Sequence, residues 1–287
     1  MILLTGITGN NGGATATALV NKGVKFRALV RDPAKAAEWA DKGVELVQGD
    51  LSDSDSIKAA LEGIDRAVLI LPNGEEQEAL EANFIKTADE AGLPWILKLS
   101  SPEAVRGTTS PIPLAHIAGE DAIMASGMNW TFVRPSFFMQ NFRSSLDAGR
   151  KTGKLSMPMD NGDVVLTDTK NAGEFIAHIL TDGNEAEHNG KYYDICGPDP
   201  VMTFADIAKV IGDVIGQEVV YDNCDPAAYQ EAIRPYHKNQ WHSDAVAYLF
   251  AEIANGNTPG HKTDTFQEIM GYPGTSLKEF LESVDNG

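Results

Sequence analysis

Three glycines near the start of the chain have the spacing of a phosphate-binding turn. Gly6, Gly9 and Gly12 follow the apolar residues 2–4, which are typical of a buried strand, and precede an alanine-rich segment that favours a helix from Ala14. Glycine lets the backbone approach a dinucleotide pyrophosphate closely, and a helix N-terminus supplies unpaired N–H groups. The sequence therefore predicts a dinucleotide site, although the spacing is G-x-x-G-x-x-G rather than G-x-G-x-x-G, and a purely structural turn is the alternative. A P-loop is excluded, because no Gly-Lys-Ser/Thr ends the loop.

Residues after the second and third predicted strands bear on which dinucleotide would bind. Arg31 follows the segment 24–30, where folds of this kind meet the adenosine ribose. A basic side chain there accommodates the 2′-phosphate of NADP, so NADP is favoured over NAD, but the adjacent Asp32 leaves NAD open. The alternatives are that Arg31 only ends the strand, and that Asp50, next to Leu51, is a solvated turn residue and not an adenine contact.

His116 and Glu120 could do acid–base chemistry. They are four residues apart in the predicted helix 114–126, so they share one helix face. Histidine titrates nearest neutrality and could act as a general acid that Glu120 orients. The alternative is that His116 is a hydrogen-bonded structural residue and Glu120 a surface acid. A metal site is not expected, because these two ligands fall short of the three that a catalytic centre needs.

The elements that must position these residues alternate between strand and helix. Strands are predicted at 2–4, 24–30, 44–47, 67–71, 95–99 and 130–133, with helices between them. This alternation is typical of an α/β fold with a doubly wound, parallel sheet of Rossmann type. It breaks after Pro135, which predicts a nucleotide-binding domain of residues 1–135 plus about 164–182, and a smaller mixed substrate domain of 136–163 and 183–287.

Composition and charge limit the function further. The 287 residues are 43% hydrophobic and carry 23 basic against 41 acidic side chains, a net charge of −18. Such a surface repels nucleic acid and anionic membranes, so neither is an expected partner. No apolar segment approaches the ~18 residues of a membrane span, and the first residues resemble a core strand, not a signal peptide. Cys196 and Cys224 fit no metal or disulfide pattern, so a cytoplasmic protein with structural thiols is expected.

Five segments, spread over nearly the whole chain, resemble those of one protein family. They are LLTGITGNNG (3–12), ALVRDPAKA (28–36), VQGDLSD (47–53), PLAHIAGEDAIMASGMNWTFVRPSFFMQN (113–141) and TFADIAKVIGDVIGQEVVY (203–221). The chain resembles the NmrA-like group of atypical short-chain dehydrogenases/reductases. Within that group it looks most like the quinone-reducing and triphenylmethane-dye-reducing oxidoreductases, whose H-x-x-x-E segment matches His116 to Glu120.

The resemblance implies an NAD(P)-dependent oxidoreductase whose cofactor lies on the glycine turn and along the ends of later strands. The residues expected to bind the cofactor are Gly6, Thr8, Gly9, Asn10, Asn11, Gly12, Arg31, Asp50, Leu51, Leu71, Pro72, Ser100, Ser101 and Pro135. Asn11 departs from the family, which usually has an aliphatic residue before the last glycine. Its amide must therefore find a hydrogen-bond partner or face the cofactor.

The acceptor side is predicted from the residues that follow the sixth strand. Phe137, Phe138, Met139 and Asn141 are the substrate-binding candidates, a mostly apolar group that suits a flat small molecule. Better-known short-chain dehydrogenases carry Tyr-x-x-x-Lys where this chain has His116 to Glu120. A quinone, enone or dye takes hydride into a delocalised system and depends less on such an acid, so a conjugated acceptor is expected.

Two other functions remain open at this stage. One is a non-catalytic dinucleotide sensor that regulates a protein partner, which the missing Tyr/Lys pair favours. The other is an epimerase with bound NAD, which fits less well because such relatives keep that pair. The sequence leaves the substrate and the oligomeric state open, a homodimer included.

Overall fold

The computed structural model describes residues 1–237, 239–258 and 260–286. The strands, in chain order, are β1 (Ile2–Leu4), β2 (Phe26–Val30), β3 (Glu45–Gln48), β4 (Arg66–Leu69), β5 (Trp95–Leu99), β6 (Asn129–Pro135), β7 (Phe137–Phe138), β8 (Lys154–Ser156), β9 (Asp163–Val164), β10 (Leu166–Thr167), β11 (Lys191–Ile195), β12 (Met202–Thr203) and β13 (Val220–Asp222). The helices are α1 (Asn10–Asn21), α2 (Ala37–Asp41), α3 (Ser54–Leu61), α4 (Gln77–Glu90), α5 (Pro111–Ala125), α6 (Ser145–Thr152), α7 (Thr169–Thr181), α8 (Glu185–His188), α9 (Phe204–Ile215), α10 (Pro226–Ile233), α11 (Gln240–Ala254), α12 (Thr265–Met270) and α13 (Leu277–Asp285).

A seven-stranded sheet forms the centre of the fold, in the order β11-β6-β5-β4-β1-β2-β3. The pairings among β1 to β6 are parallel. This arrangement confirms the predicted α/β fold class with a parallel sheet. The strand β11 lies beside β6 at the edge of the sheet, a place that the sequence did not predict.

The chain divides into two compact units. Unit 1 comprises Met1–Thr108, Pro113–Pro135 and Thr169–Asp194, and unit 2 comprises Thr109–Ile112, Ser136–Asp168 and Ile195–Gly287. Residues 183–194, assigned above to the smaller domain, lie in unit 1 because β11 adjoins β6. Residues 164–168, assigned above to the nucleotide-binding domain, lie in unit 2, where β10 pairs with β7.

In unit 1, the central strands are apolar on both faces, as expected for a parallel sheet covered by helices. Every residue of β5 is buried, and one of these residues is Lys98. The helix α1 packs on α7 at Gly173, where an added Cβ would lie 2.5 Å from the backbone carbon of Ala14. Glycine at this position therefore lets the two helices approach closely and holds α1 in place.

The first helix begins earlier than the sequence suggested. The expectation was a helix from Ala14, but α1 starts at Asn10, with Gly9 as its N-cap in an extended conformation (φ −96°, ψ 171°). The N–H of Gly13 already donates to the carbonyl oxygen of Gly9 at 2.8 Å. Gly12 therefore belongs to the helix and Gly9 caps it, which brings the helix N-terminus closer to the end of β1.

Unit 2 has its own core, in which short elements surround buried apolar side chains. The core includes Met139, Phe142, Phe204, Ile207 and Leu277. Three two-stranded ladders join β7 to β10, β8 to β13, and β9 to β12. The sequence did not predict β7, β8 or β12, because two or three residues are too few to show an alternating pattern.

None of the helices in the described ranges has the length and apolar character that a membrane crossing needs. Among the same residues, no group of three or more His, Cys, Asp or Glu side chains could hold a metal ion.

Candidate active site

The candidate cofactor residues of unit 1 gather at one edge of the sheet. Because the six strands β1 to β6 run parallel, their carboxyl ends meet at the same edge, which is where ligands bind in such folds. Outside the glycine turn, each candidate lies at the end of its strand or within three residues of it. They are Arg31 after β2, Asp50 and Leu51 after β3, Leu71 and Pro72 after β4, Ser100 and Ser101 after β5, and Pro135 at the end of β6.

Two of the three glycines in the turn are required by the fold itself. Gly6 has a positive φ of 71°, and an added Cβ would lie 2.5 Å from the carbonyl oxygen of Ile70. At Gly12, a Cβ would lie 2.1 Å from the carbonyl oxygen of Gly6. Gly6 therefore lets the turn approach the backbone after β4, and Gly12 lets α1 approach the turn.

Gly9 differs from them, because no residue that the structure describes requires it to be glycine. An added Cβ would lie 3.4 Å from the carbonyl oxygen of Gly6, which is ordinary contact, and φ is negative. Gly9, Thr8 and Asn10 are exposed. The missing side chain at Gly9 therefore leaves the N-terminus of α1 bare, and a Cβ there would fill the space in front of it.

Two further features of the first turn of α1 fit a phosphate-bearing ligand. The first N–H groups of a helix have no acceptor within it, and the first turn of α1 holds no acidic residue. The side-chain oxygen Oδ1 of Asn11 is buried and accepts no hydrogen bond from any described residue. A buried polar atom of this kind needs a partner, so the residues present fit a bound dinucleotide.

The end of β2 offers an unpaired cation. Arg31 is exposed, and its guanidinium has no hydrogen-bond or ion-pair partner in the described part of the chain. The carboxylate of Asp32 is already engaged, because it caps the next turn by accepting from the N–H of Ala34 at 3.1 Å. Asp50 also bonds locally, since its Oδ1 accepts from the N–H and the hydroxyl of Ser52, which lowers the pKa of Asp50.

His116 and Glu120 are both buried, so Glu120 is not the surface acid that the sequence left open. They bond different partners, however. The Glu120 carboxylate accepts from the Ser100 hydroxyl at 2.6 Å and forms an ion pair with Arg134 at 2.5 Å. The Nδ1 of His116 lies 3.3 Å from the Nζ of Lys98. The expected orientation of His116 by Glu120 is therefore replaced by a contact from Lys98 of β5.

The contacts of His116 with Lys98 and of Glu120 with Ser100 follow from the matching repeat distances of a strand and a helix. Lys98 and Ser100 are two residues apart, so they project from the same face of β5, about 6.6 Å apart. His116 and Glu120 are four residues apart, which is about 6 Å along α5. Lys98 therefore meets His116, and Ser100 meets Glu120.

A buried network behind His116 was missed by the sequence analysis. Lys98 is 0% exposed and its ammonium contacts Oε1 of Glu81, which is 1% exposed, at 2.5 Å. Gln77, one turn earlier on α4, donates to the same carboxylate at 3.1 Å. The sequence did contain a sign of this network, because Lys98 is the one charged residue in the otherwise apolar segment WILKL.

Gly119 makes room for this network. An added Cβ at this position would lie 2.1 Å from Oε2 of Glu81 and 2.9 Å from Cε of Lys98. His116 and Glu120 therefore present polar side chains to β5. Gly119, which lies between them, presents only its backbone to the ion pair of Lys98 and Glu81.

The surroundings of His116 oppose its protonation. Burial, with the positive charges of Lys98 and Arg134, holds the pKa of His116 well below its usual range. His116 is therefore a neutral imidazole near neutral pH. In that form it can donate one hydrogen bond, but it is a poor general acid.

The acceptor candidates all lie in unit 2 and differ in exposure. Phe137 and Phe138 are half-buried, and Asn141 is exposed. Phe137 packs on Phe142, with ring centroids 5.7 Å apart. Met139 is fully buried in the core of the unit, so its contribution there is packing.

A pH-dependent loss of stability follows from the lowered pKa of His116. An unfolded chain takes up a proton on this histidine near pH 6.5, whereas the folded chain does not, so the free energy of unfolding must fall as the pH drops below about 6.5. The slope that His116 contributes is about 1.4 kcal/mol per pH unit. The variant His116→Gln keeps an acceptor for Lys98 but cannot titrate, and it should lose this part of the slope. Urea unfolding of the parent and the variant at about pH 7.5 and pH 5.5 measures the difference between their slopes. The other titrating groups are present in both proteins, so their contribution cancels. Equal slopes would show that His116 is protonated in the folded chain.

Comparison with known proteins agrees with the resemblance drawn from the sequence. NAD(P)H azoreductase of Xenophilus azovorans is 30% identical over 285 residues, which cover 99% of this chain and 97% of the relative. Quinone oxidoreductase 2 of Escherichia coli is 28% identical over 294 residues, which cover 100% of this chain and 99% of the relative. The crystal structure of Citrobacter sp. triphenylmethane reductase complexed with NADP(H) has a TM-score of 0.87 at 24% identity and covers 99% of both chains, a likeness of fold.

The predicted family is confirmed by a sequence model. The model of the NmrA-like family matches residues 1–257, which include the glycine turn, the His116–Glu120 segment and the central sheet. With the identity to the azoreductase along almost the full length of both proteins, this match shows that the chain belongs to the NmrA-like family.

Proposed function

We propose that this protein is an NAD(P)H-dependent oxidoreductase that prefers NADPH and reduces a conjugated acceptor such as a quinone, an enone or a dye. The observation that carries the proposal is the bare N-terminus of α1, where Gly9 has no side chain although the fold would accept one. Family membership and the names of the relatives support the same activity. Two free cysteines, Cys196 and Cys224, support a reducing, cytoplasmic location.

The cofactor would be held by backbone and side chains of unit 1. The N–H groups of Asn10, Asn11 and Gly12 would bind the pyrophosphate, and Oδ1 of Asn11 would accept a hydrogen bond from the ligand. Arg31 would pair with the 2′-phosphate, because its guanidinium is exposed and no described residue pairs with it. With the cofactor bound in this way, its nicotinamide would supply a hydride.

The chemistry of the chain's own residues favours a conjugated acceptor. A ketone needs a strong acid to protonate the alkoxide that hydride addition creates, whereas a quinone delocalises that charge. His116 is neutral and can offer a hydrogen bond to an acceptor oxygen without giving up its proton. We retain Phe137, Phe138 and Asn141 as proposed acceptor contacts, because they are not fully buried.

Turnover against a panel of quinones, enones and triphenylmethane dyes, with NADPH or NADH, tests the activity. We expect NADPH oxidation with at least one quinone, and a decrease of about 100-fold in His116→Ala because one positioned donor is lost. His261→Ala, at an exposed histidine, is the control and should keep full activity. Tight cofactor binding without turnover on any acceptor would overturn the enzyme assignment in favour of a sensor.

Gly9→Val tests the cofactor site in a variant whose fold should be unchanged. An added Cβ makes no close contact with the protein, and the valine side chain would occupy the exposed space in front of α1. NADPH affinity should therefore fall by about tenfold or more while the melting temperature changes little. Gly127→Val is the matched control, because Gly127 is exposed and its Cβ would also lie 3.4 Å from the nearest oxygen. Calorimetric titration measures both. Unchanged NADPH binding by Gly9→Val would remove the turn from the site.

Arg31→Ala tests the preference for NADPH. Loss of a charged hydrogen bond to the 2′-phosphate should weaken NADPH binding by about 2 kcal/mol, roughly 30-fold. NADH, which lacks that phosphate, serves as the control ligand and should bind as before. An equal loss for both dinucleotides would place Arg31 outside the 2′-phosphate site.

A further inference from the structure

The buried ammonium of Lys98 has three acceptors for its three N–H groups. Its Nζ lies 2.5 Å from Oε1 of Glu81, 3.3 Å from Nδ1 of His116 and 3.5 Å from the carbonyl oxygen of Leu99. An ammonium group donates hydrogen bonds and accepts none. Nδ1 of His116 must therefore accept, which means that it carries no proton.

The second neighbour of Nδ1 leads to the same conclusion. Nε2 of Gln77 lies 3.5 Å from Nδ1 of His116 and donates to the Glu81 carboxylate at 3.1 Å. A carboxylate can only accept, so it fixes the amide nitrogen of Gln77, and not its oxygen, on this side. Both polar neighbours of Nδ1 are donors.

We propose that Lys98, with Glu81 as its counter-ion, is a positioning residue that holds His116 as a neutral imidazole with its proton on Nε2. The consequence for catalysis rests on the proposed function. His116 then offers a fixed Nε2–H to an acceptor oxygen at every pH at which the protein works. It acts as a hydrogen-bond donor and not as a general acid.

The charges that face His116 explain why an imidazolium does not form. Lys98 on β5 and Arg134 on β6 supply positive charge, whereas Glu81 on α4 and Glu120 on α5 supply negative charge. Each carboxylate is already paired with one of the two cations at 2.5 Å. A proton on His116 would therefore add a third positive charge against two carboxylates, in a site where unpaired charge is costly.

This assignment also determines where protons go in the proposed reaction. A quinone that receives a hydride becomes a hydroquinone monoanion, and it needs one further proton to become the hydroquinone. His116 keeps its Nε2 proton throughout, because losing it would create an imidazolate and regaining it would require a donor. This proton therefore comes from solvent water, while the Nε2–H stabilises the oxygen on which negative charge develops.

Nitrogen-15 NMR of histidine-labelled protein tests the tautomer directly. We expect one imidazole with Nδ1 unprotonated and Nε2 protonated, and with shifts that do not move between about pH 6 and 8. Comparison with the spectrum of His116→Gln assigns the signal. A proton on Nδ1, or titration of His116 near pH 6.5, would overturn the proposal. The measurement needs neither cofactor nor acceptor, so its result is independent of whether the protein proves to be a reductase.

A double variant tests the role of Lys98 in turnover. Lys98→Met with Glu81→Gln removes both charges together, which avoids leaving one buried ion without its partner. We expect about a tenfold loss of kcat near pH 8, because the tautomer is no longer held, and a new titration in kcat that the parent protein lacks. If kcat falls by the same factor at every pH, Lys98 has a structural role only and the proposal fails. If the double variant does not fold, the NMR measurement on the parent protein still decides the matter.

Discussion

A lysine in the middle of a buried strand needs a negative partner in the same place, and the part of the structure around α5 depends on that requirement. An ammonium ion without a partner in the protein interior costs several kcal/mol. Lys98 finds its partner in Glu81 of α4, and Gly119 of α5 leaves the space that the pair occupies. The ion pair therefore fixes how α4, β5 and α5 pack together, and His116 is held by the same ammonium.

The second constraint is the close approach of backbone to backbone around the glycine turn that follows β1. Gly12 meets the carbonyl oxygen of Gly6, and Gly173 meets the backbone at Ala14. These contacts hold α1 between the end of β1 and α7. Gly9 remains free of such contacts, so the same helix can present its N-terminus to a phosphate. The two constraints act on strands β1 and β5 of one sheet, and together they place the proposed dinucleotide site and His116 in the same unit.

The sequence predicted the features that depend on local patterns. Alternating apolar strands and helices predicted the parallel sheet, and the motifs predicted the family, which the full-length match confirms. The start of α1 was placed four residues late, because glycines at Gly12 and Gly13 argue against a helix until Gly9 is seen to cap it. The two-residue strands of unit 2 have no alternating pattern that a sequence could reveal. They form because residues far apart along the chain are brought together.

The sequence predicted which residue types the candidate site would contain, but not which of their side chains contact each other. Spacing placed His116 and Glu120 on one helix face, but which partner each side chain meets depends on the strand packed against that face. Periodicity predicts β5 correctly from its apolar residues, yet it gives Lys98 no role. The lysine shows its importance only when Glu81 and His116, 17 and 18 residues away, are brought to it.

Single-turnover oxidation of NADPH that carries deuterium at both C4 positions of the nicotinamide tests the central claim most directly. The protein is held in excess over the cofactor, and a quinone is added by rapid mixing, so that product release does not limit the observed rate. The account predicts that the bound cofactor is oxidised, and that the deuterated form is oxidised more slowly than the unlabelled form because the C4–hydrogen bond breaks in the step observed. A bound cofactor that stays reduced in the presence of every quinone would contradict the account.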